Sequence, residues 1–371
     1  MMGALDYLRK GYLNMILNGS KRTGLYFAAA AAVCALLLGG CHRDAVPTEK
    51  TKAGFAAVES QNYQEAEGFF AEAVSDGEEP VAAYRGLGIA QMGQAKYAEA
   101  ADSFGKALAA TDDKMPETVL DLLQYRASSQ YRMQDYAGAI ETCSQITAAD
   151  PQQVMAYFYT GASQLHLGNQ EEAEANFDYA ASLRPDDYQL YLDIYSVYED
   201  TKLSGVGDTY LQTALGIAPE DNEDYYNVGK IYYYLEQYNQ ASEALNQPVK
   251  DGYEPALSLM GRIYLAKGEN DNANAIYSQI LQKNQKDADA YNGLALCALA
   301  QNDPDKALNY ITQGLELPGG EGKQELYFNE IIAFEKKLDF LTARDKCRTY
   351  VEMYPTDEEG AKELEFLNTR G

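Results

Sequence analysis

Residues 155–187 read MAYFYTGASQLHLGNQEEAEANFDYAASLRPDD, and this stretch decides the fold. Large and small residues stand at fixed offsets: Tyr157, Gly161, Gly168, Ala173, Phe177 and Ala180, with Pro185 as a stop. Small residues at Gly161 and Ala173 let two helices cross closely. Tyr157 and Phe177 are placed to fill the space around that crossing. Proline cannot continue the second helix, which fixes the link to the next unit.

The same grammar recurs in both directions. Tyr63-Gln-Glu-Ala66 is followed by Phe70 and Ala73, and Tyr97-Ala-Glu-Ala100 by Phe104 and Ala107, 34 residues on. The Ala place returns at Ala139, Ala241, Ala273, Ala307 and Ala343. Twelve positions before many of these stands another small residue: Gly54, Gly88, Ala127, Gly161, Gly229, Gly261 and Ala295. Pro151, Pro185 and Pro219 keep the same 34-residue spacing. A period of this length with fixed offsets marks a helix–turn–helix solenoid.

The pattern resembles the tetratricopeptide repeat family. The resemblance implies an all-α, right-handed superhelical solenoid of about nine repeats over 51–357 with a C-terminal capping helix and tail over 358–371. The units begin near Pro47, Val81, Leu120, Val154, Tyr188, Asn222, Glu254, Ala288 and Gln324. Met115 to Val119 is an insertion between the second and third units. The unit at Tyr188 is degenerate, and Ser204-Gly205-Val206-Gly207 is expected to loosen its second helix. There is no Trp but 31 Tyr. Tyr84, Tyr157, Tyr191, Tyr225, Tyr291 and Tyr327 take the fourth place of their units, where the family's usual Trp packs, so they read as core.

The N-terminus carries a separate signal. Lys21 and Arg22 precede an uncharged run from Leu25 to Leu38 that ends in Leu38-Gly39-Gly40-Cys41. The run is short for a bilayer span but matches the apolar core of a secretory signal. Leu-Gly-Gly-Cys resembles a bacterial lipobox, which implies removal of residues 1–40, diacylglycerol on the Cys41 thiol and a short linker over 41–50. It further implies anchoring to a bacterial cell membrane on its extracytoplasmic side, facing a periplasm where one exists. Met15 is an alternative start.

Composition excludes several classes. Lys and Arg number 30 against 56 Asp and Glu, a net charge of −26, the wrong sign for a nucleic-acid surface. Two histidines leave little scope for histidine acid–base or zinc chemistry. Cys143, Cys297 and Cys347 are widely spaced among apolar neighbours and read as buried hydrophobes, neither a disulfide framework nor a metal site. No phosphate loop, nucleophile elbow, zinc-helix or dinucleotide motif occurs, and no cofactor or metal is implied. The reading is of a chain that is not an enzyme.

In this family the first helices line a groove through the second, fifth, ninth and twelfth places of each unit. That mapping implies a partner-binding face at Arg85, Tyr131, Phe158, Tyr226, Lys230, Tyr233, Arg262, Asn292 and Phe328, with Ile89, Met92, Gln124, Ser128 and Leu165 on the same stripe and His166 one place beyond. Aromatics with interspersed cations suit a protein segment. Arg85 is followed by Ile89 one turn later, so the family's chaperone-tail clamp is not reproduced. Acidic runs at Asp76 to Glu79, Asp186-Asp187, Glu220 to Asp224 and Asp357 to Glu359 fall where helices begin, and read as caps. A guide for a basic partner or weak divalent cations is the other reading of these runs. The expected function is a membrane-anchored, non-catalytic scaffold for protein partners of an envelope or secretion complex. The alternative is capture of a small ligand or glycan in the Tyr-rich groove.

Overall fold

The computed structural model describes residues 48–111, 116–319, 322–355 and 357–370. The expected signal segment over 1–40 and Cys41 lie outside the described residues. Nineteen helices and no strand are present among the described residues, arranged as nine helical hairpins and a final helix. The chain divides at residues 214 and 215 into two compact units.

The N-terminal unit holds five hairpins: α1 Glu49–Glu59 with α2 Tyr63–Ser75, α3 Pro80–Gly93 with α4 Tyr97–Ala109, α5 Pro116–Arg132 with α6 Tyr136–Ala149, α7 Val154–His166 with α8 Gln170–Leu183, and α9 Tyr188–Asp200 with α10 Ser204–Ala214. The C-terminal unit holds four: α11 Asn222–Tyr234 with α12 Tyr238–Lys250, α13 Glu254–Ala266 with α14 Asn270–Lys283, α15 Ala288–Ala300 with α16 Pro304–Leu315, and α17 Lys323–Lys336 with α18 Phe340–Met353, closed by α19 Glu358–Asn368. Within each unit the first helices of successive hairpins lie against one another and form one layer. No described helix is long and apolar enough to cross a membrane.

Each hairpin turns through one residue with a left-handed backbone: Gln61, Ala95, Gln134, Gly168, Lys202, Glu236, Gly268, Asn302 and Leu338. The amide after it reaches back to a carbonyl five residues earlier, as in Asn62 N to Ala57 O at 2.8 Å and Leu203 N to Tyr198 O at 2.7 Å. These bonds satisfy carbonyls that the end of the first helix leaves bare. Only two of the nine are Gly, so seven turns hold an L-residue where its Cβ is crowded.

The hairpins close on size-matched pairs sixteen residues apart. A Cβ placed on Gly54, Gly88, Gly161, Gly229 or Gly261 would stand 2.5–2.9 Å from Phe70, Phe104, Phe177, Leu245 or Tyr277 respectively. Where the first place is Ala127 the second shrinks to Cys143, Ala295 is matched by Ile311, and where the first grows to Ile331 the second is Cys347. Cys143, Cys297 and Cys347 are free and fully buried, as small hydrophobes.

Three sequence expectations need correction. Ser204 to Gly207 do not loosen the second helix of their unit; they are its first turn, and α10 is merely short at 11 residues. Tyr195 fills the place usually kept small, and Gly207 compensates: a Cβ there would lie 2.8 Å from Tyr198 Cβ and 3.2 Å from the Tyr195 ring. The insertion before residue 120 adds a turn to α5, which runs 17 residues from Pro116. Tyr225 is 37% exposed and does not pack like Tyr191, which is 4% exposed; Tyr84, Tyr157, Tyr291 and Tyr327 are half-buried. The prolines at 151, 185, 219 and 355 all lie between hairpins, or before α19, as their stop role requires.

Asp187, Asp221 and Asp357 cap α9, α11 and α19 through backbone amides. The run at Asp76 to Glu79 behaves otherwise. Asp76 binds Lys50 and Glu79 Oε2 accepts from Thr48 N at 3.2 Å, so this run ties down the start of α1.

Candidate functional site

The groove residues read from the sequence separate into three kinds. Phe158, at 2% exposure, packs against Phe177 and belongs to the core, as do Ile89 and Leu165. These three are corrected from groove to core: Phe158 meets Phe177 on the second helix of its own hairpin, Ile89 joins the cluster that holds Phe70 and Phe104, and Leu165 is buried. Tyr233 is also 4% exposed and packs with Ala241, Leu245 and Ile263.

Other residues are engaged with neighbours. Arg85 Nε donates to Asp121 Oδ2 at 2.6 Å on the next first helix, and its guanidinium lies 5.5 Å from the Tyr125 ring. Asn292 Oδ1 accepts from Asn329 Nδ2 at 2.7 Å, again between first helices. Phe328 is half-buried and meets Tyr350 edge-on at 5.3 Å. Gln124 donates to Gln153 at 2.7 Å, and Ser128 accepts from the Tyr159 hydroxyl at 3.2 Å. Tyr131 shares a hydrogen bond of 3.2 Å with His166 Nε2, while the His166 ring stacks on Tyr136 at 4.6 Å. Burial pushes the Tyr131 hydroxyl above its ordinary range. Burial also pushes His166 below 6.5, with Asp200 opposing.

Four of the nine converge. Tyr226, Lys230 and Tyr233 on α11 and Arg262 on α13 line one pocket of about 260 Å³, together with Tyr234, Pro255, Ser258, Leu259 and Asp289. Helical spacing explains the set: residues 226, 230 and 233 stand one turn apart on one face, and 255, 258, 259 and 262 answer them from the next first helix. Tyr226 is half-buried and meets Tyr253 edge-on at 5.7 Å. The Lys230 ammonium lies 5.6 Å from the centre of the Tyr226 ring, within cation–π range. Burial raises the Tyr226 hydroxyl, and Arg262 pulls it back. Desolvation works against the Arg262 charge, yet Tyr277, Asp289, Tyr233 and Tyr226 around it raise its pKa overall. Burial raises the Glu325 carboxyl, Asp289 adds to this and Arg262 opposes it.

The sequence reading missed Asp289, Pro255 and Ser258, although they occupy second and fifth places and so lie on the same stripe. None is aromatic or cationic, so none stood out. Tyr234 carries no such signal; only the packing of α11 on α13 brings it in. Among the described residues no group of three or more His, Cys, Asp or Glu is placed to hold a metal ion.

A tetratricopeptide repeat profile matches residues 51–116, 126–188 and 258–320, more than half the sequence. The chain belongs to the tetratricopeptide repeat family. A second profile of that family matches 225–248, the hairpin that carries the first half of the pocket. No curated protein sequence matches the chain. Among solved structures, a tetratricopeptide repeat protein from Parabacteroides merdae is similar at 16% identity, covering 67% of this chain and 98% of that one, with a TM-score of 0.52. PilF of Pseudomonas aeruginosa is similar at 17% identity over 57% of this chain and 96% of that one, TM-score 0.37. PilW, described as a type IV pilus biogenesis factor, is similar at 19% identity over 56% of this chain and 97% of that one, TM-score 0.40. Of these three, the Parabacteroides structure alone bears on the fold.

Proposed function

We propose that this repeat protein is a non-catalytic scaffold that seats a segment of a partner protein in the pocket between α11 and α13. One observation carries the reading: four residues expected on the groove, from two successive first helices, line a single cavity. Its volume suits one or two partner side chains, and Tyr with cations is the composition of interface anchors. A glycan platform needs open aromatic faces, but Tyr226 is half-buried and Tyr233 is buried. That favours a protein segment over the sugar-binding alternative.

The proposal extends to place. The basic residues, apolar run and Leu38-Gly39-Gly40-Cys41 support a lipid on Cys41 and display on the outer side of a bacterial membrane, in service of an envelope or secretion complex. The test is photo-cross-linking in cells with the reactive group at Ser258 in the pocket or at exposed Glu243 on α12. A discrete protein adduct from Ser258 and none from Glu243 is expected. No adduct from Ser258, or the same adducts from both, rejects the pocket as the interface.

A further inference from the structure

In the N-terminal unit, residues from three successive first helices act on one another around an imidazole. His166 ends α7, and its Nε2 shares a hydrogen bond of 3.2 Å with the hydroxyl of Tyr131, near the end of α5. The ring lies flat on Tyr136, the first residue of α6, with centres 4.6 Å apart and planes 6° from parallel. Tyr131 itself meets Tyr136 at 5.8 Å and Tyr159 at 5.5 Å, so rings hold both partners of the bond. Asp200, the last residue of α9, acts on the imidazole by its charge. Arg132, beside Tyr131, donates to the Tyr97 hydroxyl at 3.4 Å, and Glu171 and Glu172 in the first turn of α8 are exposed.

We infer that His166 is a proton-operated switch between α5 and α7: neutral, it ties the two helices together through Tyr131; protonated, it gives up that tie. The switch goes beyond the scaffold reading and is independent of the pocket between α11 and α13. It follows from the direction of the bond. A phenol O–H is a far stronger acid than a neutral imidazole N–H, so Tyr131 donates and Nε2 accepts. The ring proton of the neutral form then sits on Nδ1. A second proton turns Nε2 from acceptor into donor, and the Tyr131 hydroxyl can no longer donate to it. Burial opposes the imidazolium and Asp200 favours it; burial is the larger influence, so the change falls on the acid side of an ordinary histidine. Tyr131 stands on the groove stripe and His166 one place beyond, so the tie that is lost belongs to the first-helix layer.

The chain has two histidines, so nitrogen-15 spectra of the imidazoles in the full chain hold two sets of signals, and His42→Gln assigns them. Above neutral pH, His166 is expected with its proton on Nδ1, against the Nε2–H form that an unconstrained imidazole prefers. Tyr131→Phe, which keeps the ring, should return His166 to the Nε2–H form and raise its titration midpoint toward about 6.5. Asp200→Asn should lower the midpoint. Amide-exchange protection in the last turns of α5 and α7 should fall severalfold between about pH 7.5 and 5.5 in the wild type. In Tyr131→Phe, where the tie is already absent, protection should be lower and level across that range. An Nε2–H form in the wild type overturns the switch, as does a midpoint that Tyr131→Phe leaves in place. Protection that does not fall with acid, or falls equally in both proteins, overturns it as well.

Discussion

Gly161 and Phe177 occupy one another's space: a Cβ on Gly161 would lie 2.9 Å from the Phe177 ring and 3.1 Å from the Ala173 carbonyl. Phe177 has no exposed surface and is hemmed in by Phe158, Tyr198 and Tyr210 at 5.6–6.1 Å between ring centres. The ring cannot retreat, so neither residue is free to change alone.

Gly161→Ala should therefore cost about 1–3 kcal/mol by overpacking, and Ala173→Leu, in the same crossing, a similar amount. Phe177→Leu alone leaves a void, yet combined with Gly161→Ala it should cost less than the two changes summed. Urea unfolding of the four variants checks this. Additive losses would show that the pair is not coupled.

Tyr226 and Tyr233 lie on one helix face but have different duties. Tyr233→Ala should cost about 3–5 kcal/mol, because a fully packed ring is removed. Lys230→Ala should stay within about 1 kcal/mol, as expected of a half-exposed side chain. Thermal unfolding separates the two. Equal, small effects at both positions would move Tyr233 out of the core.

His166 gives the N-terminal unit a sensitivity to acid. Burial lowers its pKa below 6.5, so in the acid range the unfolded chain binds the proton more readily than the folded one. Stability should be full above the unfolded pKa of about 6.5 and fall as pH drops from there through the folded value. His166→Gln should flatten that part of the stability profile relative to the wild type. Identical profiles between about pH 7 and 5, the range that brackets an ordinary histidine, would exclude the effect.

Leu338 holds a φ of 60° and is 74% exposed at the turn of the last hairpin. Glycine relieves the crowded Cβ but costs more backbone entropy, and the difference favours Leu338→Gly by about 0.5–1 kcal/mol. A rise in melting temperature is the expected reading. A fall would mean that the exposed leucine is itself covered in solution.

Cys41→Ser should abolish acylation and release the protein from membranes, since stable anchoring needs more than one chain. Precursor mass and membrane fractionation report it. Unchanged retention with an unchanged mass would reject the lipid anchor.

The sequence by itself determined the number of hairpins, their period and their stops. The reason is local: a helix crossing needs a size-matched pair sixteen residues apart, and in four hairpins a proline follows the second helix. Each rule acts within a single repeat, so it is written within 34 consecutive letters. Helix caps at Asp187, Asp221 and Asp357 were legible for the same reason. What the tertiary structure decided was which members of the groove stripe face outward. Phe158 and Tyr226 occupy the same place on equivalent helices, yet one is buried and the other lines a pocket. Phe158 meets Phe177 across its own hairpin, whereas Tyr226 meets Tyr253 at the start of the next one. The charge balance of the pocket is likewise a sum over α11, α13 and α15, three helices far apart in the chain, from Tyr226 to Asp289. No single repeat contains it, because only stacking brings Lys230, Arg262 and Asp289 around one cavity.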